Sequence, residues 1–198
     1  MLSHNEFLKP RLMFFNDFIT KPRQTGAICA SSPALAQKMV EGIAWESSQN
    51  IVEIGPGTGA FTCEILKKKH KNAPFVAIEI NPKMVEILHK KFPKLTVEND
   101  NAENLSAILA KYAMNFCDVI ISGIPWTVLP EPAQDALLAA IAQNLKADSG
   151  TFATFMYALP TLRKKKFVKK LHRYFSKVRV SDVVWRNIPP AFVCYCQK

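Results

Sequence analysis

A parallel α/β sheet covered by helices on both faces is what this sequence predicts, and two patterns carry the prediction. Apolar runs at Asn50–Ile54, Phe75–Ile80, Leu95–Val97, Val119–Ser122 and Thr151–Tyr157 have the length of strands buried on both faces. Helical stretches at Phe61–Lys69, Pro82–Phe92, Ala102–Tyr112 and Pro132–Lys146 alternate with them, as crossovers between parallel strands require. The tail breaks that rhythm. After the basic stretch Arg163–Lys170, two strand candidates, Val178–Trp185 and Ala191–Tyr195, follow with no helix between them. So tight a connection forces an antiparallel pair at the sheet edge. The expected fold is therefore α/β and Rossmann-like, a seven-stranded, mostly parallel sheet with an antiparallel edge strand.

Size and composition suit one such domain. The chain has 198 residues, 48% of them apolar, and no internal repeat, low-complexity segment or linker. No stretch approaches the roughly 18 uninterrupted apolar residues of a membrane span. Glu6 and Asp17 interrupt the N-terminal apolar stretch, so it does not read as a secretory signal. The five cysteines, Cys29, Cys63, Cys117, Cys194 and Cys196, are odd in number and form no CxxC pair. They read as reduced thiols of a cytoplasmic protein.

The charge is one-sided. From Thr161 to Lys198 eleven Lys and Arg face one acid, Asp182, giving +10, which equals the net charge of the whole chain. Everything upstream is close to neutral. A concentrated basic region points to an anionic partner surface, nucleic acid or lipid, although a lysine-rich helix face can also be merely solvated.

The first 25 residues stand apart from the expected domain at 26–198. Leu8, Leu12, Phe15 and Ile19 fall on one helical face, with Phe7, Phe14 and Phe18 beside it and Lys9, Arg11, Lys21 and Arg23 flanking. Two readings stay open: a helix packed on the core, or an interfacial helix at the headgroup boundary of a membrane.

The strongest local motif is Ile51-Val52-Glu53-Ile54-Gly55-Pro56-Gly57-Thr58-Gly59. A strand ends in an acid, and a glycine turn then opens a helix, letting the backbone approach a ligand closely. Glu79 ends the next strand, where a carboxylate can accept both hydroxyls of a ribose. Dinucleotide-binding folds share this geometry. Glu53 separates the cases. Two residues before the first glycine, it is placed to take the ammonium of a methionine moiety, whereas it would repel a pyrophosphate.

The fourth strand leads into Ser122-Gly123-Ile124-Pro125-Trp126, a proline-aromatic turn at the carboxyl end of the sheet. Ligands of such sheets bind there, where the strand order reverses.

Taken together, the glycine motif, Glu79-Ile80-Asn81-Pro82, Asp100-Asn101-Ala102-Glu103-Asn104-Leu105 and Ser122–Trp126 resemble the rRNA adenine dimethylase-like branch of class I methyltransferases. Within that branch, Pro22–Ala27 running into Ser31-Ser32-Pro33, and the tail Trp185–Val193, resemble the soluble bacterial phospholipid N-methyltransferases. The resemblance implies methyl transfer from S-adenosylmethionine to the amine of phosphatidylethanolamine or its mono- and dimethyl derivatives. It carries Glu53, Gly55, Gly57 and Glu79 over as cofactor contacts, with Asn101, Ala102 and Ser122 beside them. The family's Gly-Asp-Ala reads Asp100-Asn101-Ala102 here, so an amide oxygen replaces the acid expected on the adenine amino group.

Adenine-N6 enzymes place Asn or Asp first in the acceptor turn; here Ser122 holds that place. An alkyl amine asks less of it. The indole of Trp126 is expected to face an ammonium, a contact of roughly 0.5–2 kcal/mol, with packing beneath the turn as its other reading. Tyr157 is expected as a second wall. Lys21, Arg23, Ser31, Ser32 and Arg186 are candidates for the lipid phosphate, although Ser31 or Ser32 before Pro33 equally suits a helix N-cap. No metal is needed for an in-line displacement. No general base stands out, since His4, His70, His89 and His172 fall on predicted helices or the N-terminus. The expected partner is an anionic membrane surface, met peripherally at the inner face. An rRNA or DNA adenine N6-methyltransferase, methylation of another aminolipid such as an ornithine lipid, and a binding module with a degenerate cofactor site are the alternatives.

Overall fold

The computed structural model describes residues 31–158 and 162–198, the latter from helix α6 onward. The expected N-terminal helix, the 25/26 domain boundary, Lys21, Arg23, His4 and Cys29 lie outside the described residues. Residues 31–198 form one compact unit.

Helix α1, Pro33–Glu41, begins where a cap and a proline coincide. The Ser32 hydroxyl accepts from Leu35 N–H at 3.2 Å, and Pro33 occupies the first turn, where its missing N–H costs nothing. Strand β1, Ile51–Ile54, follows, then α2, Ala60–Lys68, and β2, Phe75–Ile78. The Asn81 side chain caps α3, Pro82–Lys91, by accepting from Lys83 N–H at 3.0 Å. Next come β3 (Thr96–Glu98), α4 (Leu105–Lys111), β4 (Val119–Ser122), α5 (Glu131–Asn144), β5 (Thr151–Tyr157) and α6 (Leu162–Tyr174). The chain closes with β6, Lys177–Val180, and β7, Ala191–Gln197.

The strands form one seven-stranded sheet in the order β3-β2-β1-β4-β5-β7-β6. The first five are parallel, and β7 runs antiparallel to both β5 and β6. The antiparallel strand therefore sits one place inside the edge. Its residues explain why: Ala191–Cys196 are all buried, whereas Lys177–Val180 are mostly exposed, so β6 tolerates the edge and β7 does not.

Strand parity divides the core. Ile51, Ala77, Ile121, Phe155 and Val193 face Leu35, Met39, Phe61 and Ile65 of α1 and α2. On the opposite face Phe152 meets Trp126 and Phe175.

Two elements differ from expectation. The stretch read as a helix from Ala102 starts as a 3-10 turn, Ala102–Asn104, and becomes α-helical only at Leu105. The strand read as Val178–Trp185 ends at Val180. Beyond it Ser181 N–H donates to Val193 O at 2.8 Å and its hydroxyl accepts from Val193 N–H at 2.9 Å, which consumes the ladder; Val184 pairs only through one bridge to Ala191. Cys63, Cys117, Cys194 and Cys196 are free thiols, and burial pushes Cys117 up to about 12. His70, His89 and His172 are exposed.

Candidate active site

The carboxyl ends of β1 and β4 are neighbours, with Ile54 opposite Ser122. From β1 the sheet order runs one way to β2 and the other to β4, so a crevice opens between the two following loops.

The glycine turn enters that crevice in a conformation only glycine adopts easily. Gly55 and Gly57 have φ of +67° and +54°, and a Cβ on Gly57 would project into open space, with nothing within 4 Å. Gly123 completes the contact from the other side. A Cβ there would lie 2.4 Å from the Gly55 carbonyl oxygen, so the two loops touch backbone to backbone.

Glu53 is fully buried on the α1/α2 face, and half of it is spoken for. Its Oε2 accepts from the Thr62 hydroxyl at 2.6 Å, while Oε1 has no partner. A buried carboxylate oxygen without a donor is costly, and the structure answers by protonation. Burial, opposed by the Thr62 bonds and aided by nearby Glu79, pushes the carboxyl up to about 8. A cationic donor reaching Oε1 would reverse that balance.

Glu79, 2% exposed, ties the loops together. Oε2 accepts from Gly57 N–H at 3.0 Å and Oε1 from Asn81 N–H at 2.9 Å, and burial raises its carboxyl despite those bonds. The Asn99 amide donates to the Glu79 carbonyl at 2.8 Å, holding the end of β3 against it. Glu79→Ala leaves the Gly57 and Asn81 N–H groups without their acceptor. It is expected to weaken binding of S-adenosylhomocysteine at least tenfold and to lower the melting temperature, by roughly 2–3 kcal/mol of stability. Calorimetry and thermal unfolding on one preparation measure both; unchanged affinity would reduce Glu79 to a structural latch.

Asn101 has a local role. Its Oδ1 accepts from Glu103 N–H at 3.1 Å and caps the 3-10 turn, so one lone pair is spent locally. Ala102 is buried behind it.

The acceptor turn requires a clear correction. Trp126 does not face the crevice: it is fully buried, its Nε1 donates to the Thr154 hydroxyl at 2.7 Å, and its ring lies 5.0 Å from that of Phe167 and 6.2 Å from that of Phe152. An indole enclosed on that face gains more from burial and a satisfied N–H than from exposure beside a loop. Ser122 is also fully buried, and its hydroxyl accepts from Ile124 N–H at 3.3 Å. It stiffens the turn from beneath. Gln134, 8% exposed, donates to the carbonyls of Trp126 and Leu129 at 2.9 and 3.0 Å.

Tyr157 is half-buried at the carboxyl end of β5, its ring edge-on to Phe155. Of the phosphate candidates, Ser32 spends its hydroxyl on the α1 cap, as its other reading held. Its N–H donates to Asn187 Oδ1 at 2.9 Å, which brings Ser31 and Ser32 beside the turn that carries exposed Arg186. Thr62, Thr154 and Gln134 are the polar residues sequence reasoning missed. Each is recognisable only from a partner on a different element.

The comparisons with known proteins bear on this geometry. A family model described as a methyltransferase domain matches residues 51–148, which include the glycine turn, Glu79 and the Ser122–Trp126 turn. Over those residues the chain carries a class I S-adenosylmethionine-dependent methyltransferase domain. It is 27% identical over 193 residues to the ornithine lipid N-methyltransferase of Singulisphaera acidiphila, covering 96% of this chain and 97% of that protein. The ribosomal RNA small subunit methyltransferase A of Mycoplasma capricolum is 37% identical over 101 residues, 49% of this chain, and the match spans only 36% of that protein. Human methyltransferase-like protein 13, solved with SAH, superposes with a TM-score of 0.59 at 19% identity, over 83% of this chain and 78% of that one. A TehB-like methyltransferase from Corynebacterium glutamicum gives 0.61 at 14% identity, over 96% and 99%.

The cofactor is accordingly S-adenosylmethionine, and the residues present fit it. The unpaired Glu53 Oε1 calls for a cationic donor, and the open space at Gly57 leaves room for a ligand against the backbone.

Proposed function

We propose that this enzyme methylates the headgroup amine of an aminolipid, with phosphatidylethanolamine and ornithine lipid as the candidate acceptors. One observation carries the reading: the lipid-modifying relative aligns with this chain nearly end to end, whereas the Mycoplasma ribosomal RNA relative aligns over about half of it. The acceptor turn agrees. It begins with Ser122, whose hydroxyl is turned inward, in place of the Asn or Asp that would accept from an adenine amino group.

Bound S-adenosylmethionine supplies an electrophilic methyl group on a sulfonium. Glu53 Oε1 would take the ammonium of its methionine end, the Gly55–Gly59 backbone would line it, and Glu79 with the 99–102 segment would hold its ribose and adenine end. The Ser122–Trp126 turn, braced by Gln134 and Thr154, would position the acceptor nitrogen beside the cofactor and keep water from it. Tyr157 walls the crevice at the end of β5. Arg186, with Ser31 and Ser32 near it, meets the lipid phosphate or carboxylate.

None of the described helices is long and apolar enough to cross a membrane. The exposed lysines of α6 supply attraction to anionic lipid, on the order of 1 kcal/mol for each basic residue near the surface, weakened by salt.

The enzyme, incubated with S-adenosylmethionine and mixed micelles of each aminolipid, is expected to add methyl groups to at least one, read by mass spectrometry. Ribosomal RNA stripped of its modifications is the competing substrate. Methylation of adenine in that RNA, with both lipids untouched, would overturn the proposal in favour of the RNA branch.

A further inference from the structure

Two apolar side chains stand further into solvent than any other large ones among the described residues: Trp185, 76% exposed, and Ile188, 81%. The next, Val180, reaches 47%. They lie in a single turn between β6 and β7, and exposed Arg186 stands between them.

The turn that presents them is firmly built. Asn187, 4% exposed, accepts from Ser32 N–H at 2.9 Å, donates its amide to Pro189 O at 2.7 Å, and donates its backbone N–H to Val184 O at 3.2 Å. Ala158 N–H, just past β5, donates to Pro190 O at 2.7 Å. Polar groups turned inward thus fix two apolar groups turned outward. That inverts the usual economy of a surface turn, and it asks for a nonaqueous environment outside.

Its place in the fold is as telling. Tyr157 is paired with Ala191, so the turn sits at the carboxyl end of β5, the same end of the sheet as the glycine loop and the Ser122–Trp126 turn. The surrounding charge is positive. Exposed Arg186 shares the connection with one exposed acid, Asp182, and α6, which packs against β6, exposes Lys165, Lys166, Lys169 and Arg173.

We propose that Trp185 and Ile188 are a wedge that enters the headgroup boundary of an anionic bilayer, seating the mouth of the active-site crevice on the surface that presents the acceptor amine. The inference rests on the aminolipid reading above and names how the enzyme reaches that substrate. A tryptophan beside an arginine suits the interface, where the ring leaves water and the cation meets lipid phosphate. Ile188 argues against a nucleic-acid strand. A platform for bases needs aromatic or guanidinium planes, and an isoleucine gains only by leaving water.

Tryptophan fluorescence tests this on the full chain. Trp126 is fully buried and Trp45 partly so, with its N–H bonded to Val40 O, leaving Trp185 as the strongly exposed reporter of the three. On adding phosphatidylglycerol/phosphatidylethanolamine vesicles, emission is expected to shift to shorter wavelength and to be quenched by brominated acyl chains; both responses vanish in Trp185→Phe. The double variant Trp185→Ser/Ile188→Ser is expected to bind vesicles at least tenfold more weakly, about a tenfold loss being typical for each large apolar side chain returned to water. Its affinity for S-adenosylhomocysteine and its turnover on a short-chain, monomeric aminolipid stay as in the parent.

Vesicle binding by the double variant equal to the parent's overturns the wedge. So does Trp185 emission that is already short in wavelength without vesicles, which would mean that another segment of this chain covers it. Quenching by oligo(rA) with no response to vesicles overturns it in favour of RNA. Bromolipid quenching that persists while no aminolipid is methylated in any presentation leaves the wedge standing and sinks the acceptor reading.

Discussion

Glu53→Gln is expected to weaken binding of S-adenosylhomocysteine roughly ten- to a hundredfold, the range for losing one charge-assisted hydrogen bond in a buried site. The substitution preserves shape and can keep the Thr62 bond while removing the charge that an ammonium at Oε1 would meet. The pH dependence is the sharper test. With Glu53 pushed up to about 8 by burial, the carboxyl of the free enzyme is protonated at neutral pH, and binding a cation there releases that proton. Affinity in the parent should therefore climb up to about tenfold per pH unit below 8 and level off above it, once the carboxyl is ionised without the ligand. Glu53→Gln should lack the climb. Stability of the free enzyme moves the other way. A carboxyl raised in the folded state from 4.5 to about 8 holds its proton more tightly than in the unfolded chain. Its contribution is full below pH 4.5 and is lost as pH rises through 8. Calorimetry from pH 6 to 9, with melting curves in the same buffers, reads both. A parallel pH dependence in parent and variant would remove Glu53 from the ammonium site.

The α/β alternation was legible because each parallel strand is covered on both faces and so is mostly apolar: Val119–Ser122 reads the same in sequence and in space, and Asn50–Ile54 loses only its first residue. The edge was less so. Whether β6 or β7 lies outermost depends on which of them β5 accepts as a neighbour, although the polar alternation of Lys177–Val180 against the apolar Ala191–Cys196 carries a hint. Glu53 and Glu79 were legible by position, since both are acids at the carboxyl ends of neighbouring strands, where ligands of such sheets bind. The environment of Glu53 was not. Thr62 comes from the following helix, and nothing local distinguishes it from an ordinary helical threonine. The cap that Asn101 makes was not legible, because it depends on the Glu103 N–H lying within reach of the side chain.

Trp126 shows the limit most clearly, and it supplies the largest expected stability effect. A proline-aromatic pair after a strand marks a turn, but the turn does not say to which side the ring swings. That is decided by Thr154, on β5 and 28 residues away, whose hydroxyl accepts the indole N–H, and by the apolar space beside Phe152 and Phe167. Trp126→Ala is expected to destabilise the fold by about 3–5 kcal/mol, because it opens a cavity beneath the Ser122–Trp126 turn and removes the donor to the Thr154 hydroxyl, which keeps only its bond to the Ser122 carbonyl. Trp126→Phe fills most of that space and loses only the hydrogen bond, at a cost of about 1–2 kcal/mol. Urea denaturation gives both values. The phenylalanine variant also separates packing from catalysis. If the ring only braces the turn, affinity for S-adenosylhomocysteine and turnover on the aminolipid stay within about twofold of the parent wherever the variant is folded. If it faced a methylated ammonium, the weaker quadrupole of phenylalanine would lower turnover while stability stayed near that of the parent. That second pattern would return Trp126 to the acceptor site; the burial of the ring and its bond to Thr154 predict the first.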